Sequence, residues 1–152
     1  MDTFNILDFL LKARAHTYAS GAGKVKPVFP DLFQLEYQEN NLLYRDIYNL
    51  GNGLFMGLET VYMQNKPLFS MSYFGNFGKI TEKEADTILR KALIENWHTT
   101  RLWHNVTWKS KNYEYSCKPN SNGSLTEFSG KEKILKDGIE VYYFSYAGGY
   151  IA

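Results

Sequence analysis

The chain has 152 residues and a net charge of +1. This length is enough to bury one hydrophobic core, and the charge is too small to attract nucleic acid or an anionic membrane. Direct nucleic-acid binding and membrane association are therefore not expected. Cys117 is the sole cysteine, which excludes an intrachain disulfide and favours the reducing cytoplasm. The 12 tyrosines and 10 phenylalanines are typical either of a β-rich protein or of pocket walls that offer hydroxyl groups.

The first half of the chain predicts one helix followed by an antiparallel meander. Residues 3–15 repeat apolar side chains at helical spacing. Residues 19–24 are small and glycine-rich, and they indicate a flexible loop or lid because they lack the spacing of a phosphate-binding loop. Short connections rich in Asn and Gly separate the strand-like runs that follow, as in antiparallel hairpins. These runs cover residues 33–39, 42–50, 54–64 and 67–75.

The second half predicts the same order of elements. Thr81 and Glu84 have the spacing of a capping box, in which the threonine accepts a bond from the third helical amide and the glutamate reaches back. Apolar residues then recur on one face of a helix. Asp137 and Gly138 are typical of a two-residue hairpin turn between the last two strands. The strand-like runs cover residues 103–109, 112–118, 125–135 and 139–147.

The two halves also match each other residue by residue. Residues 55–75 align without a gap on residues 128–148, and Phe, Gly and Glu recur at the start of both segments. We therefore predict an α+β fold in which a helix-plus-four-stranded meander is internally duplicated, with one curved sheet and two helices on one face. The prediction is a single domain over residues 1–152, with pseudo-repeats of about 1–76 and 77–152.

Alternation along the predicted strands assigns each side chain to one face of the sheet. In the segment 128–134 three polar side chains must face water, which turns Glu132 inward. Gly57 and Gly130 could instead mark bulges, which would reverse the alternation beyond them. The inward residues that could contact a ligand are Tyr44, Asp46, Glu59, Tyr73, Tyr115, Glu132 and Tyr146.

The three inward carboxylates need compensation, because an ionised group on an apolar face is costly. One interpretation is structural: ion pairs with Arg14, Arg45 or Arg101, or hydrogen bonds from the tyrosine hydroxyls. The other is functional, and it places acids and aromatic faces in a pocket for a cationic or polyhydroxylated ligand. The sequence leaves both interpretations open.

Other kinds of chemistry are weakly indicated. The three histidines lack the spacing of a helical metal site, and no metal or cofactor is expected. Cys117 has inward strand parity, which favours a small core residue over a nucleophile. A hydrolase that uses an inward carboxylate as general base is one alternative function. A protein-interaction domain that uses exposed aromatic residues is another.

An ordered series of short motifs runs through the chain. The motifs comprise Thr17-Tyr18-Ala19, Tyr44, Asp46, Tyr48, Phe55, Gly57, Glu59, Met71, Tyr73-Phe74-Gly75, Tyr113, Tyr115, Phe128, Gly130, Glu132, Tyr146 and Gly148-Gly149. In these motifs the chain resembles a prokaryotic family, domain of unknown function 5680. Arg101 departs from that pattern, because Leu102 and Trp103 follow it where a Gly-Pro turn is expected.

The resemblance implies partners rather than an activity. Members of the family often lie behind a helix-turn-helix DNA-binding domain. A regulatory role here would therefore need a partner DNA-binding protein. The alternative partner is a second copy of this chain, in a homodimer. A looser similarity connects the chain to gyrase-inhibitor-like effector-binding domains, which hold ligands in a cleft between two halves. We therefore predict a small-molecule-binding, effector-sensing module with an aromatic, acidic cleft.

Overall fold

The computed structural model describes residues 3–152, with side chains described from Ile6 onward. Two helices and eight strands follow one another in the predicted order. The elements are α1 (Thr3–Ala15), a 3-10 turn (Tyr18–Ser20), β1 (Phe33–Glu39), β2 (Leu42–Gly51), β3 (Leu54–Met63), β4 (Lys66–Asn76), α2 (Glu82–Glu95), β5 (Val106–Ser110), β6 (Tyr113–Pro119), β7 (Phe128–Lys136) and β8 (Ile139–Tyr150).

The eight strands form one antiparallel sheet in the order β1-β2-β3-β4-β8-β7-β6-β5. The second meander is therefore the reverse of the first, and β4 and β8 join them at the centre. Tyr73 of β4 lies directly opposite Tyr146 of β8. These two tyrosines occupy equivalent places in the two halves. Their pairing therefore places a pseudo-twofold axis between β4 and β8. The α+β class and the curved sheet are confirmed, and the origin of the halves by duplication stays a prediction.

Two strands begin later than predicted. β5 begins at Val106, because residues 97–104 form turns in which Arg101 has a φ of +56°. β7 begins at Phe128, because Ser124 and Glu127 close a tight turn through a backbone hydrogen bond of 3.1 Å. The predicted runs 103–109 and 125–135 both begin with apolar residues that are typical of strands. In the structure these first residues lie in turns.

The predicted capping box at the start of α2 is half formed. The Thr81 hydroxyl accepts a hydrogen bond of 3.1 Å from the Glu84 amide, as expected. The expected return bond from the Glu84 side chain was wrong. That carboxylate instead pairs with Lys136 at 2.6 Å and accepts a hydrogen bond from Tyr113. These contacts connect the first turn of α2 to β6 and β7, which helps to place the helix on the sheet.

The predicted alternation of the strands holds along the sheet. The inward side chains of Tyr44, Glu59, Tyr115 and Glu132 are all buried in the core beneath the two helices. The alternation passes without interruption through Gly57 and Gly130, so neither glycine marks a bulge. The register shifts occur farther along, between Val61 and Tyr62 and, at the equivalent place, in β7.

The two inward glycines are needed for a close approach rather than for a bulge. Gly57 lies opposite Tyr73, and Gly130 lies opposite Tyr146. In each pair the tyrosine ring crosses over the glycine, so that a Cβ atom there would overlap the tyrosine hydroxyl. The absence of a side chain therefore fixes the direction in which each tyrosine hydroxyl points.

Candidate functional site

The first buried carboxylate, Glu59 on β3, is neutralised by α1. The Arg14 guanidinium contacts the Glu59 carboxylate at 2.7 Å through Nη2 and at 3.1 Å through Nε. The Tyr44 hydroxyl donates to the same carboxylate at 2.8 Å. Glu59 is only 2% exposed, so this arginine and tyrosine replace the water it has lost.

The second buried carboxylate, Glu132 on β7, has an equivalent but fuller set of partners. Arg101 holds it in a bidentate pair, with Nε at 2.9 Å and Nη2 at 3.0 Å. The hydroxyls of Tyr115 and Tyr142 donate to it at 2.5 Å and 2.8 Å. Burial and the nearby glutamate raise the pKa of both tyrosines well above its usual value, so these hydroxyls act as donors. The structural interpretation therefore accounts for both glutamates, through Arg14 and Arg101.

Arg45, the third candidate partner, lies on the other face of the sheet. Its Nε atom pairs with Glu36 at 2.8 Å, where both side chains are partly exposed. This location follows from strand alternation, since Arg45 lies between two inward residues of β2.

Asp46, the third inward carboxylate, is arranged differently. Its Oδ1 atom accepts a hydrogen bond of 2.5 Å from the Tyr73 hydroxyl, and no Lys or Arg in the described part of the chain forms an ion pair with it. It lies directly opposite Glu59 in the sheet. Burial, and then the charge of Glu59, raise the pKa of Asp46 to about 7, although the bond from Tyr73 opposes this shift. Near neutral pH the Asp46 carboxyl is therefore divided between its neutral and ionised forms.

A cavity of about 220 Å³ lies between α2 and the inward face of the first half, and Asp46 and Tyr73 are on its wall. The rest of the wall is mostly apolar and aromatic. Phe33 stacks on Tyr48 with ring centroids 5.1 Å apart. Other lining side chains from the strands, the loops and α2 are Tyr18, Leu35, Leu50, Phe55, Phe77, Ala85, Leu89 and Tyr142.

Charged side chains lie on the side of this cavity formed by α2. Asp86 accepts a hydrogen bond of 2.5 Å from the Tyr18 hydroxyl, and the Arg90 guanidinium lies 4.9 Å from the centroid of the Tyr18 ring. The Nε atom of Arg90 is buried, and no acceptor for it is found among the described residues. An unpaired buried donor of this kind is unusual in folded proteins. Lys24 adds a charge from the loop after the 3-10 turn.

The equivalent place in the second half is filled differently. Cys117 lies opposite Glu132, as Asp46 lies opposite Glu59. Trp103 packs edge-on against Phe128 with ring centroids 5.7 Å apart. There the hydroxyl of Tyr146, the counterpart of Tyr73, donates at 2.8 Å to the backbone carbonyl of Leu102 rather than to a carboxylate. Leu102 and Trp103, which follow Arg101, therefore pack into this half, whereas the first half has the cavity and its acid.

The structure separates the seven predicted ligand contacts into groups. Asp46 and Tyr73 line the cavity. Tyr44, Glu59 and again Asp46 border a much smaller cleft of about 20 Å³ behind it. The remaining three residues line neither space, and they are Tyr115, Glu132 and Tyr146.

Strand alternation did not identify the part of the wall that comes from outside the sheet. Asp86 and Arg90 are spaced as a helical ion pair at i and i+4, and they lie 3.7 Å apart. That spacing alone is equally typical of an exposed helix face. Only the packing of α2 shows that these residues face an aromatic cavity.

Among residues 3–152, no group of three or more His, Cys, Asp and Glu residues is arranged to hold a metal ion. Within the same described range, no helix is both long and apolar enough to cross a membrane. Cys117 is buried, and burial raises the pKa of its thiol, which disfavours the nucleophilic thiolate.

Comparison with protein families gave one match. Residues 46–151 match the sequence pattern of a family described as Domain of unknown function (DUF5680). The matched segment begins at Asp46 and includes α2 and all later strands. Comparison with curated proteins and with solved structures gave no match.

Proposed function

The chain belongs to this family of unknown function, and we propose that it binds a small molecule in the cavity between α2 and the first half of the sheet. The observation that supports this proposal is Asp46, an interior carboxylate without an arginine partner among the described residues, exposed to an aromatic cavity. Ligand pockets typically combine apolar walls with a few polar groups that fix orientation. An effector-sensing module acting in the reducing cytoplasm is the role proposed.

The composition of the walls supports a ligand with an apolar body and few polar atoms. Asp46 offers a carboxylate that can accept a proton or a hydrogen bond, and Arg90 adds a positive charge to the wall. The aromatic side chains between these residues offer flat faces for contact. A cationic or a polyhydroxylated ligand meets the requirement for a donor to Asp46.

Glu59 and Glu132 have a supporting role in this proposal. Their ion pairs hold Arg14 and Arg101 against the core, and Arg101 is part of the cavity wall. A direct contact between either glutamate and the ligand stays a prediction. The geometry favours a positioning role, because the oxygen atoms of both carboxylates already accept bonds from protein donors.

A bulky side chain at the mouth of the cavity is expected to weaken ligand binding. Ala22 is exposed and lines the cavity, so Ala22→Trp would obstruct the opening without disturbing the core. The matched control is Ala147→Trp, because Ala147 is exposed on the opposite face of the sheet. A thermal-shift screen of small amines, polyols and neutral aromatic compounds, followed by calorimetric titration, would measure the effect.

Compounds that raise the melting temperature of the wild type are expected to bind Ala22→Trp about tenfold more weakly or worse, a loss of about 1.4 kcal/mol. Their affinity for the Ala147→Trp control should be unchanged. Equal affinity for all three proteins would place the binding site elsewhere. The absence of any stabilising compound would contradict the proposed function.

A second candidate function, general acid–base catalysis, is favoured by the properties of Asp46. A carboxyl whose pKa is raised to about 7 can both accept and return a proton near neutral pH, and Tyr73 holds it in one orientation. If the protein is a hydrolase, Asp46→Asn should abolish turnover while the affinity for substrate is retained. A panel of chromogenic esters, amides and glycosides would measure this. Turnover that persists in Asp46→Asn would exclude Asp46 as the base.

A further inference from the structure

We propose that the occupant of this cavity is a protonated amine carried on a small, flat apolar body, with its ammonium group at Asp46. The inference rests on the proposed function, and it specifies the chemical class of the ligand. It depends on the distribution of charge in the interior, on the free oxygen of Asp46, on the aromatic walls and on the size of the cavity.

The distribution of charge separates Asp46 from the other interior carboxylates. Glu59 and Glu132 are each matched by one arginine at hydrogen-bonding distance. No third cation among the described residues forms an ion pair with Asp46, so its ionised form adds an unmatched negative charge to the interior. A buried carboxylate of this kind is compensated either by a proton or by a cation that enters from outside.

The geometry of Asp46 leaves room for that cation. Tyr73 donates to Oδ1, and no donor among the described residues bonds to Oδ2. Asp46 retains 6% of its surface accessible and lines the cavity. An ammonium group in the cavity could therefore donate to Oδ2 while the bond from Tyr73 is kept.

The aromatic walls suit a cation as well as a flat apolar group. The Lys24 ammonium already lies 5.8 Å from the centroid of the Phe33 ring at this cavity. Across the cavity, the Arg90 guanidinium lies over Tyr18. Both contacts are cation–π interactions, in which the negative face of the ring attracts positive charge. A ligand cation at Asp46 would be surrounded by rings of the same kind.

The same walls disfavour a polyhydroxylated ligand. The hydroxyls of Tyr18, Tyr73 and Tyr142 already donate to Asp86, Asp46 and Glu132. A sugar or polyol would bring many donors and acceptors into the cavity, and each polar group left unpaired there is costly. An amine brings one polar group, and the free oxygen of Asp46 can accept a bond from it.

The size of the cavity limits the apolar body. A closed cavity of about 150 Å³ holds one benzene molecule. The volume of about 220 Å³ therefore suits one ring with a short side chain. Phenethylamine has this size, and its uncharged counterpart 2-phenylethanol has nearly the same shape.

Binding of an amine should also release a proton. The groups that face Asp46 are Glu59, Tyr44, Tyr48, Tyr73, Arg14 and Arg101, and the same cavity wall carries Tyr18, Lys24, Glu82, Asp86, Arg90 and Tyr142. Burial raises the pKa of Tyr48 to about 12, so this tyrosine, like the other two, stays neutral, and the arginines stay charged. Glu59 forms an ion pair with Arg14. Asp46 is therefore the group that ionises when an ammonium ion binds at pH 6, and it is already largely ionised at pH 8.

The test is calorimetric titration of the full chain with phenethylamine, 2-phenylethanol and phenylacetate. We expect the amine to bind the wild type at least tenfold more tightly than the alcohol or the acid at pH 8. At pH 6 the amine should bind more weakly and release close to one proton, measured as a dependence of the enthalpy on the buffer. Asp46→Asn should remove the preference for the amine, whereas the control Glu114→Gln, in an exposed pair with Lys109, should retain it.

Three outcomes would overturn the inference. They are tighter binding of the alcohol than of the amine, a preference for the amine that survives Asp46→Asn, and no binding of any of the three probes. The proposed function has a separate criterion: uncharged compounds from the thermal-shift screen that bind the wild type but not Ala22→Trp would support a ligand cavity and reject an amine as its ligand.

Discussion

Replacing Glu132 with glutamine is expected to destabilise the protein by about 3–5 kcal/mol, because the change leaves the Arg101 guanidinium charged and without a counter-ion in the core. Glu132 is fully buried, and Arg101 contacts it through two nitrogen atoms. Glutamine can still accept bonds from the tyrosines, so the loss is mainly the uncompensated charge. Urea denaturation monitored by tryptophan fluorescence would measure the change in the free energy of unfolding.

Two controls separate this effect from ordinary loss of a contact. Glu114→Gln breaks an exposed pair with Lys109 and should cost less than about 1 kcal/mol. The double variant Arg101→Leu with Glu132→Gln removes both buried charges, so it should recover much of the stability lost in the single variant. A cost for Glu132→Gln as small as that for Glu114→Gln would contradict the buried ion pair.

Most of the fold could be predicted from the sequence because its signals are local. The hairpin turns and the alternation of polar and apolar residues set the strands and their inward faces. The errors occurred at Trp103 and Leu125, apolar residues that lie in turns outside the strands. Local pattern cannot distinguish an apolar residue on a strand from one that packs into the core from a turn.

The candidate site was predicted less completely, for two physical reasons. Strand parity gives Asp46, Glu59 and Glu132 the same inward direction, but only three-dimensional packing shows which of them has an arginine within reach. Residues of α2 such as Arg90 depend on where the helix lies on the sheet, which no local signal reports. The sequence therefore identified the acids and tyrosines as a set, and the structure singles out Asp46 and Tyr73 as the pair that faces a cavity.

Asp46 should make the stability of the protein depend on pH. Burial and Glu59 raise the pKa of Asp46 to about 7, whereas an unfolded aspartate has its usual value near 3.8. Between these two values the folded state holds a proton that the unfolded state has lost. This contribution therefore makes the folded state less stable as pH rises from about 4 to 7, and it becomes constant above pH 7.

Asp46→Asn should remove this dependence, because asparagine has the same shape and does not ionise. At pH 8 the variant is expected to be more stable than the wild type by roughly 4 kcal/mol, since each unit of pKa shift corresponds to about 1.4 kcal/mol. The difference should shrink as the pH falls and disappear near pH 4. The midpoints of urea denaturation at pH 5 and pH 8 would measure this difference in stability. Glu114→Gln is the control, and its stability should stay close to that of the wild type at both pH values.

A gain in stability at pH 8 would connect the two properties of Asp46. An acid whose ionised form destabilises the fold is uncommon unless that form has a use, since replacement by a neutral residue would remove the cost. A bound ammonium ion would offset that cost and restore the lost stability. If Asp46→Asn instead destabilises the protein at both pH values, the carboxyl is a structural partner of Tyr73, and its ionised form carries no cost that a ligand cation would offset.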